Sequence, residues 1–217
     1  MCGRYTFTRR LDASRLVLPD DPAFVPGPRY NIAPTQLAPV TLLEDPARIR
    51  FLRWGLVPFW AKDPKIGASM INARSESLAE KPAFRSLLAR GRCLAHADGF
   101  YEWQGAGKQK QAWRFCLSDG APFVFAGLWS SWRSPQGQAL DSFTIITTRP
   151  NALTADIHDR MPVILSEAQA AIWMDPAASQ PECLALLEPY PPEAMRAYPA
   201  SPRVGNVRND DPELIAE

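Results

Sequence analysis

Metal and disulfide chemistry have little to work with in this chain of 217 residues, which holds four cysteines and two histidines. Cys2, Cys93, Cys116 and Cys183 are irregularly spaced and form no CxxC pair, which argues against a zinc site and against a disulfide framework. No metal or other cofactor is expected, and a reduced, cytoplasmic setting is. No run approaches the ~20 apolar residues of a membrane span, and no apolar stretch follows the first arginines as a secretory leader would require. A membrane is therefore not expected as a partner. Charge of one sign is also missing: 24 basic residues against 23 acidic ones leave a net charge of +1. Such a chain has no global attraction for nucleic acid, so an anionic ligand needs a local cluster of basic groups. Glycine is scarce beside proline, 12 against 22, which predicts fixed loops and short elements rather than long helices. Repeats, low-complexity tracts and a linker are absent. With 46% apolar and 22% charged residues, the chain is long enough to bury a core without staples. It reads as a single soluble α+β domain over residues 1–217.

What is present begins at Met1-Cys2-Gly3-Arg4. If Met1 is removed, Cys2 carries an α-amine and a thiol on adjacent carbons, with ordinary pKa values of roughly 8 and 8.5. A 1,2-aminothiol condenses with an aldehyde, the amine forming a Schiff base and the sulfur closing it to a thiazolidine. It also serves as a plain thiolate nucleophile with its own amine as base. Against both stands the ordinary use of cysteine as a small buried apolar residue.

Along the chain, Thr8 to Leu18 is expected as a short helix with Thr8 as N-cap and Pro19 as stop. A proline-rich loop covers Asp20 to Arg29, and Tyr30 to Gln36 is expected as a rigid turn. Ala38 to Leu43 and Ile49 to Trp54 read as paired strands around Glu44-Asp45-Pro46. Trp54-Gly55-Leu56-Val57-Pro58-Phe59-Trp60 is too interrupted for a regular element, and its aromatics serve either as core or as a platform for bases. In Ile71-Asn72-Ala73-Arg74, an amide and a guanidinium two residues apart share one face of an extended segment, although a turn or cap also accounts for Asn72.

Pro82 to Arg90 reads as a helix with Gly91 as stop, and Arg92 to Ala97 as a strand leading into Gly99-Phe100-Tyr101-Glu102-Trp103. Aromatic neighbours desolvate the Glu102 carboxyl and favour its protonated form, as a general acid or base requires; an exposed strand glutamate is the plain alternative. Gly105 to Gln111 is expected as a hairpin loop, with further strands at Ala112 to Leu117, Pro122 to Leu128 and Ser142 to Thr148. In Asp156-Ile157-His158-Asp159-Arg160, acids flank a histidine, which orients an imidazole and raises its pKa. His96, within an apolar strand, reads as structural. Ser166 with Gln169, and Ser179 with Glu182, are capping boxes opening two short helices over the sheet.

Seven of these segments in order, MCGRY, YNIAP, RWGLVPFWA, INARSE, ADGFYEW, DIHDRMPVIL and VGNVRND, make the chain resemble the SOS response-associated peptidase family. The resemblance implies a mostly antiparallel, strongly curved, barrel-like sheet flanked by short helices, and a monomer. It also implies a protein that binds single-stranded DNA containing abasic sites, self-processes to lose Met1, and bonds covalently to the abasic sugar through Cys2. Carried over by motif, Cys2 is the nucleophile, with Asn72, Glu102 and His158 as the other catalytic residues. Arg4, Arg74 and Arg160 would hold phosphates, and Pro34, Trp54 and Trp60 would lie against bases. Some relatives have consecutive tryptophans where this chain has Trp60-Ala61, which implies a smaller platform. Two rival readings stay open: an N-terminal-nucleophile amidohydrolase using Cys2 on a small amide, and a non-covalent single-strand-binding module.

Overall fold

The computed structural model describes residues 2–22, 24–105, 107 and 110–217. In chain order the strands are β1 (Arg4–Phe7), β2 (Leu16–Val17), β3 (Arg29–Ile32), β4 (Leu37–Leu42), β5 (Asp45–Trp54), β6 (Asn72–Arg74), β7 (Arg92–Ala97), β8 (Gly99–Gln104), β9 (Gln111–Leu117), β10 (Phe123–Arg133), β11 (Ala139–Thr148), β12 (Met161–Pro162), β13 (Ile164–Leu165) and β14 (Met195–Pro199). The helices are short: α1 (Leu87–Arg90), α2 (Ala152–Ala155), α3 (Glu167–Trp173) and α4 (Gln180–Ala185).

Five strands close on themselves. The sheet runs β11-β10-β7-β4-β5 with antiparallel neighbours, and a parallel contact of β5 with β11, Arg53 beside Ser142 and Trp54 beside Phe143, joins its ends. The barrel-like core implied by the resemblance is thus a closed five-stranded barrel. Alternation along each strand sends Val40, Leu52, Trp54, Ala95, Phe125, Phe143 and Ile145 into one cluster. On β10 and β11 the opposite row, Ala126, Leu128 and Ile146, is buried as well, under Trp173 of α3 and Cys183 of α4. Burial on both faces is why these two strands read as near-continuous apolar runs.

A second sheet, β14-β9-β8-β1-β3, adds Tyr5, Phe7, Phe100 and Phe115 to the barrel's cluster. Tyr5 stands edge-on to Trp54 with ring centres 5.0 Å apart, a geometry worth about 0.5–1.5 kcal/mol beyond the buried area. Its other face carries Tyr101 and Ala112 against Ala200, Val204 and Leu214 of the C-terminal segment.

Several local expectations change. Thr8 caps no helix, because its N–H and hydroxyl both donate to the Asp98 carboxylate, at 2.7 and 2.6 Å. Asp12 instead caps a single 3-10 turn, Ala13–Arg15, and Leu16–Val17 pair with β5. Of Pro82 to Arg90 only Leu87–Arg90 is α-helical, since a segment this short has too few turns to propagate a helix and follows the burial of Phe84 and Leu88. The Tyr30 to Gln36 turn begins later than expected, because Tyr30 to Ile32 complete β3. Within the Gly105 to Gln111 loop, Ala106, Lys108 and Gln109 lie outside the described residues; the strands that flank it pair as a hairpin, Gln104 opposite Gln111. Both capping boxes are present, at Ser166 with Gln169 and Ser179 with Glu182.

Candidate functional site

The site gathers where β1 begins. The register of β1 on β8 sets Arg4 opposite Tyr101, so Glu102 stands one step further, across from Gly3. On β8 the row facing the core is Phe100 and Glu102, while Tyr101 and Trp103 face the C-terminal segment. Alternation therefore drives a carboxyl into the interior, where it is 3% exposed. Burial raises its pKa from the ordinary 4.5 to about 7, with the Asp159 carboxylate acting in the same direction. A group poised there both gives and takes protons at neutral pH.

Cys2 is buried, its thiol reaching the Arg4 carbonyl at 3.6 Å. Burial, helped by the charge of Glu102, pushes the thiol pKa up, so at neutral pH the sulfur keeps its proton. Asn72, on β6, donates from Nδ2 to the Cys2 carbonyl at 2.8 Å. That strand is held in parallel against β11, Asn72 beside Ile145 and Arg74 beside Thr147. Three of the four expected catalytic residues, Cys2, Asn72 and Glu102, thus converge.

His158 lies between α2 and β12, in a loop tied to β8 by Gln104, whose Nε2 donates to the Asp156 carbonyl at 3.1 Å. Its Nδ1 accepts from the Arg160 backbone N–H at 3.0 Å and lies 2.9 Å from the Asp159 carboxylate. The first contact requires an unprotonated Nδ1 and the second favours a protonated one. Burial lowers the His158 pKa, outweighing Asp159, so the neutral ring is favoured, and the Arg160 N–H and the Asp159 carboxylate compete for its Nδ1. The sequence-based expectation of a raised pKa is corrected: the acids are there, but desolvation wins.

The expected DNA-contact residues divide. Arg74 is exposed and its guanidinium has no partner among the described residues. Arg4 is engaged by Asn31 Oδ1 at 2.9 Å and the Val204 carbonyl at 2.7 Å. Arg160 is engaged by both oxygens of Glu76, at 2.6 and 2.9 Å, and by the Thr147 carbonyl. Trp54 is not a surface residue: it is wholly buried, with Nε1 donating to the Ile71 carbonyl at 2.9 Å. Placing it against bases is a correction, because a strand end in a closed barrel points inward. Trp60, six residues on, is 51% exposed, and its neighbour Phe59, the third aromatic of the same stretch, is 67% exposed. The chain turns between them because Gly55, at φ +122°, passes so close to Gly67 that a Cβ on it would lie 2.5 Å from that carbonyl. Pro34 is half-buried beside Thr35, which adopts a left-handed φ of 73° and donates its N–H to the Trp54 carbonyl.

Sequence reasoning named Glu76 as a candidate partner of Arg74 or Arg160, and the structure pairs it with Arg160; it missed Asn31 and Asp210. Asn31 donates to the carbonyls of Val204, Asn206 and Asn209, and Asp210 accepts from the N–H groups of Tyr30 and Asn31. Together they tie the C-terminal VGNVRND segment to β3; no local pattern announces bonds this distant in sequence. Among the described residues no cluster of three or more metal-ligating side chains exists, and no helix is long and apolar enough to cross a membrane.

A family model described as SOS response associated peptidase (SRAP) matches residues 1–207. The abasic site processing protein YoqW of Bacillus subtilis (strain 168) is 45% identical over 222 residues, covering 99% of each chain. The abasic site processing protein YedK of Escherichia coli (strain K12) is 33% identical over 224 residues, again covering 99% of each. A crystallised protein from Bacteroides thetaiotaomicron superposes with a TM-score of 0.79 at 29% identity, over 85% of this chain and 83% of that one.

Proposed function

This chain belongs to the SOS response associated peptidase family, and on that premise we propose that it processes abasic sites in single-stranded DNA by bonding to them through the mature N-terminal Cys2. The observation that carries the reading is the convergence of Cys2, Asn72 and Glu102, with Asn72 Nδ2 on the Cys2 carbonyl at 2.8 Å and a carboxyl titrating at about 7 beside the thiol. The names of the relatives supply the substrate, and the chemistry of the residues supplies the bond.

Loss of Met1, assisted by Glu102, frees the Cys2 amine. An abasic deoxyribose in its ring-opened form presents an aldehyde. The amine adds to it, and water leaves to give an iminium. The thiol then adds to the same carbon and gives up its proton to the Glu102 carboxylate, replacing the proton that left with the water, while the nitrogen keeps the hydrogen it carried in the iminium. One aldehyde and one aminothiol give one thiazolidine and one water. A protonated thiol suits this order, because sulfur is needed only after the iminium has formed. Neutral His158, with a proton on Nε2, donates to the sugar oxygen as the ring opens.

Binding is backbone-led: Arg74, whose guanidinium is open, faces phosphates, Arg4 and Arg160 are held by their protein partners, and Trp60, Phe59 and Pro34 meet bases. Residues 1–217 act as one domain and as a monomer, in the cytoplasm on DNA. The test is incubation with an abasic oligonucleotide, an intact oligonucleotide and glutamine. A denaturation-resistant adduct with the first alone supports the reading, glutamine hydrolysis favours an amidohydrolase, and reversible binding of both strands without an adduct leaves only a binding module.

A further inference from the structure

We propose that Glu76 is a positioning residue for His158: by gripping both arms of the Arg160 guanidinium, it fixes the backbone N–H that holds the imidazole with its proton on Nε2. The inference rests on the function proposed above, in which His158 acts as a proton donor.

Glu76 lies in the 3-10 turn Ser75–Ser77 that directly follows β6. Arg160 follows His158 by two residues. Between them runs a paired fork, Nη1 to Oε1 at 2.6 Å and Nη2 to Oε2 at 2.9 Å. Nη2 also donates to the Thr147 carbonyl at 2.6 Å, and Thr147 is the β11 residue beside Arg74 on one side and Pro162 of β12 on the other. One guanidinium therefore ties the strand that carries Asn72 to the loop that carries His158. The Arg160 side chain is 12% exposed and that of Glu76 56%. A pair this open contributes little to stability, about 0–1 kcal/mol, whereas a planar fork with two parallel bonds fixes direction well. Geometry, rather than stability, is what the pair supplies.

What it directs is the Arg160 N–H, 3.0 Å from His158 Nδ1. The competing partner of that nitrogen is the Asp159 carboxylate at 2.9 Å, which is attractive only to a protonated Nδ1. With Arg160 held, Nδ1 accepts and Nε2 carries the proton. With Arg160 loose, Asp159 captures Nδ1–H, and the ring turns cationic more readily. Among the described residues, the groups acting on the ring's charge are Asp159 and Arg160 of its own loop; Glu102 on β8 feels Asp159 in turn, and Glu76 reaches the ring only through Arg160.

Ring nitrogen NMR on histidine-labelled protein tests this cleanly, because the chain has two histidines and His96, bonded to Thr41, serves as an internal reference. In the wild type, His158 should be a neutral Nε2–H tautomer at pH 7. Glu76→Gln should mix the tautomers and raise the titration midpoint, while adduct formation slows roughly ten- to a hundred-fold, as for a displaced catalytic group. Binding to intact single strands should not weaken, since the variant removes only negative charge. Arg160→Lys, which keeps the charge and loses the fork, should reproduce the NMR change and covers the case in which Glu76→Gln fails to fold. Wild-type tautomer, midpoint and rate in Glu76→Gln would overturn the proposal, even if the melting temperature fell. If the wild type itself forms no adduct, the function proposed above fails, while the NMR arm still decides the role of Glu76.

Discussion

The side-chain amide of Asn72 is half used: Nδ2 donates to the Cys2 carbonyl at 2.8 Å, while Oδ1 is buried with no hydrogen-bond partner among the described residues. A buried acceptor is worth about 1–3 kcal/mol to the donor that satisfies it, so this oxygen offers a bound sugar or amine a place to donate. Asn72→Ala removes a hydrogen bond and the unpaired oxygen together, and the two should nearly cancel, leaving the melting temperature within a few degrees of wild type. Adduct formation with an abasic strand should fall at least ten-fold. A large loss of stability with an unchanged rate would make Asn72 a structural cap.

Glu102 ties stability to pH through its proton. Its folded pKa of about 7 exceeds the ordinary 4.5, so between these values the folded state holds a proton that the unfolded state has released. Stability therefore falls as pH rises from about 4.5 to about 7 and levels off above, a loss of at most about 3 kcal/mol. Glu102→Gln, which cannot ionise, should melt higher than wild type at pH 8 and close to it at pH 4. In a host lacking methionine aminopeptidase, the same variant should retain Met1 by intact mass. A variant that lost Met1 as fully as wild type would remove Glu102 from the processing step.

The two tryptophans of one motif should part company. Trp54 fills the barrel against Tyr5, and Trp54→Ala should cost about 3–5 kcal/mol as a core truncation. Trp60→Ala should leave stability unchanged and weaken single-strand binding by about 1–3 kcal/mol, as loss of a stacked base does. Thermal melts and fluorescence anisotropy separate the two; equal stability losses would place Trp60 in the core as well.

That contrast shows how far the sequence reaches. Capping boxes, the β4 and β5 pair and the β8 and β9 hairpin are written locally, in turn residues and alternation, and could be read directly. The fates of Trp54 and Trp60 were not, because glycine and proline between them erase any period, and which aromatic faces inward depends on the closure of β5 on β11. The pair of Glu76 with Arg160, 84 residues apart, and the bonds from Asn31 across more than 170 residues depend on the same closed topology. The order of the motifs pointed to the chemistry of Cys2, Asn72 and Glu102. Which arginines stay open to a phosphate became visible only with their partners in place.

Arg74 is the open one. Arg74→Ala should weaken binding at every sequence and lower the slope of log affinity against log salt by about 0.7 on a single strand, as loss of one phosphate contact does. An unchanged slope would assign it another role.

The bond itself is the last test, and it follows from having amine and thiol on one residue. A Schiff base hydrolyses readily and survives denaturation only if reduced, whereas closure by sulfur gives a thiazolidine that needs no reductant. Wild-type protein with an abasic single strand should therefore give a denaturation-resistant adduct without borohydride, its mass the sum of the two less one water. Cys2→Ala keeps an N-terminal amine and should give an adduct only after reduction. Cys2→Ser should behave like Cys2→Ala, because a hydroxyl is a far poorer nucleophile than sulfur at neutral pH. Inserting a residue before Cys2 leaves the thiol but makes its nitrogen an amide, and should abolish the adduct. The thiol is buried and holds its proton, so alkylation by iodoacetamide should be slow and should not outrun reaction with the strand. If the blocked protein crosslinks as well as the mature one, or Cys2→Ala gives an adduct without reductant, then thiazolidine formation is not the chemistry of this site.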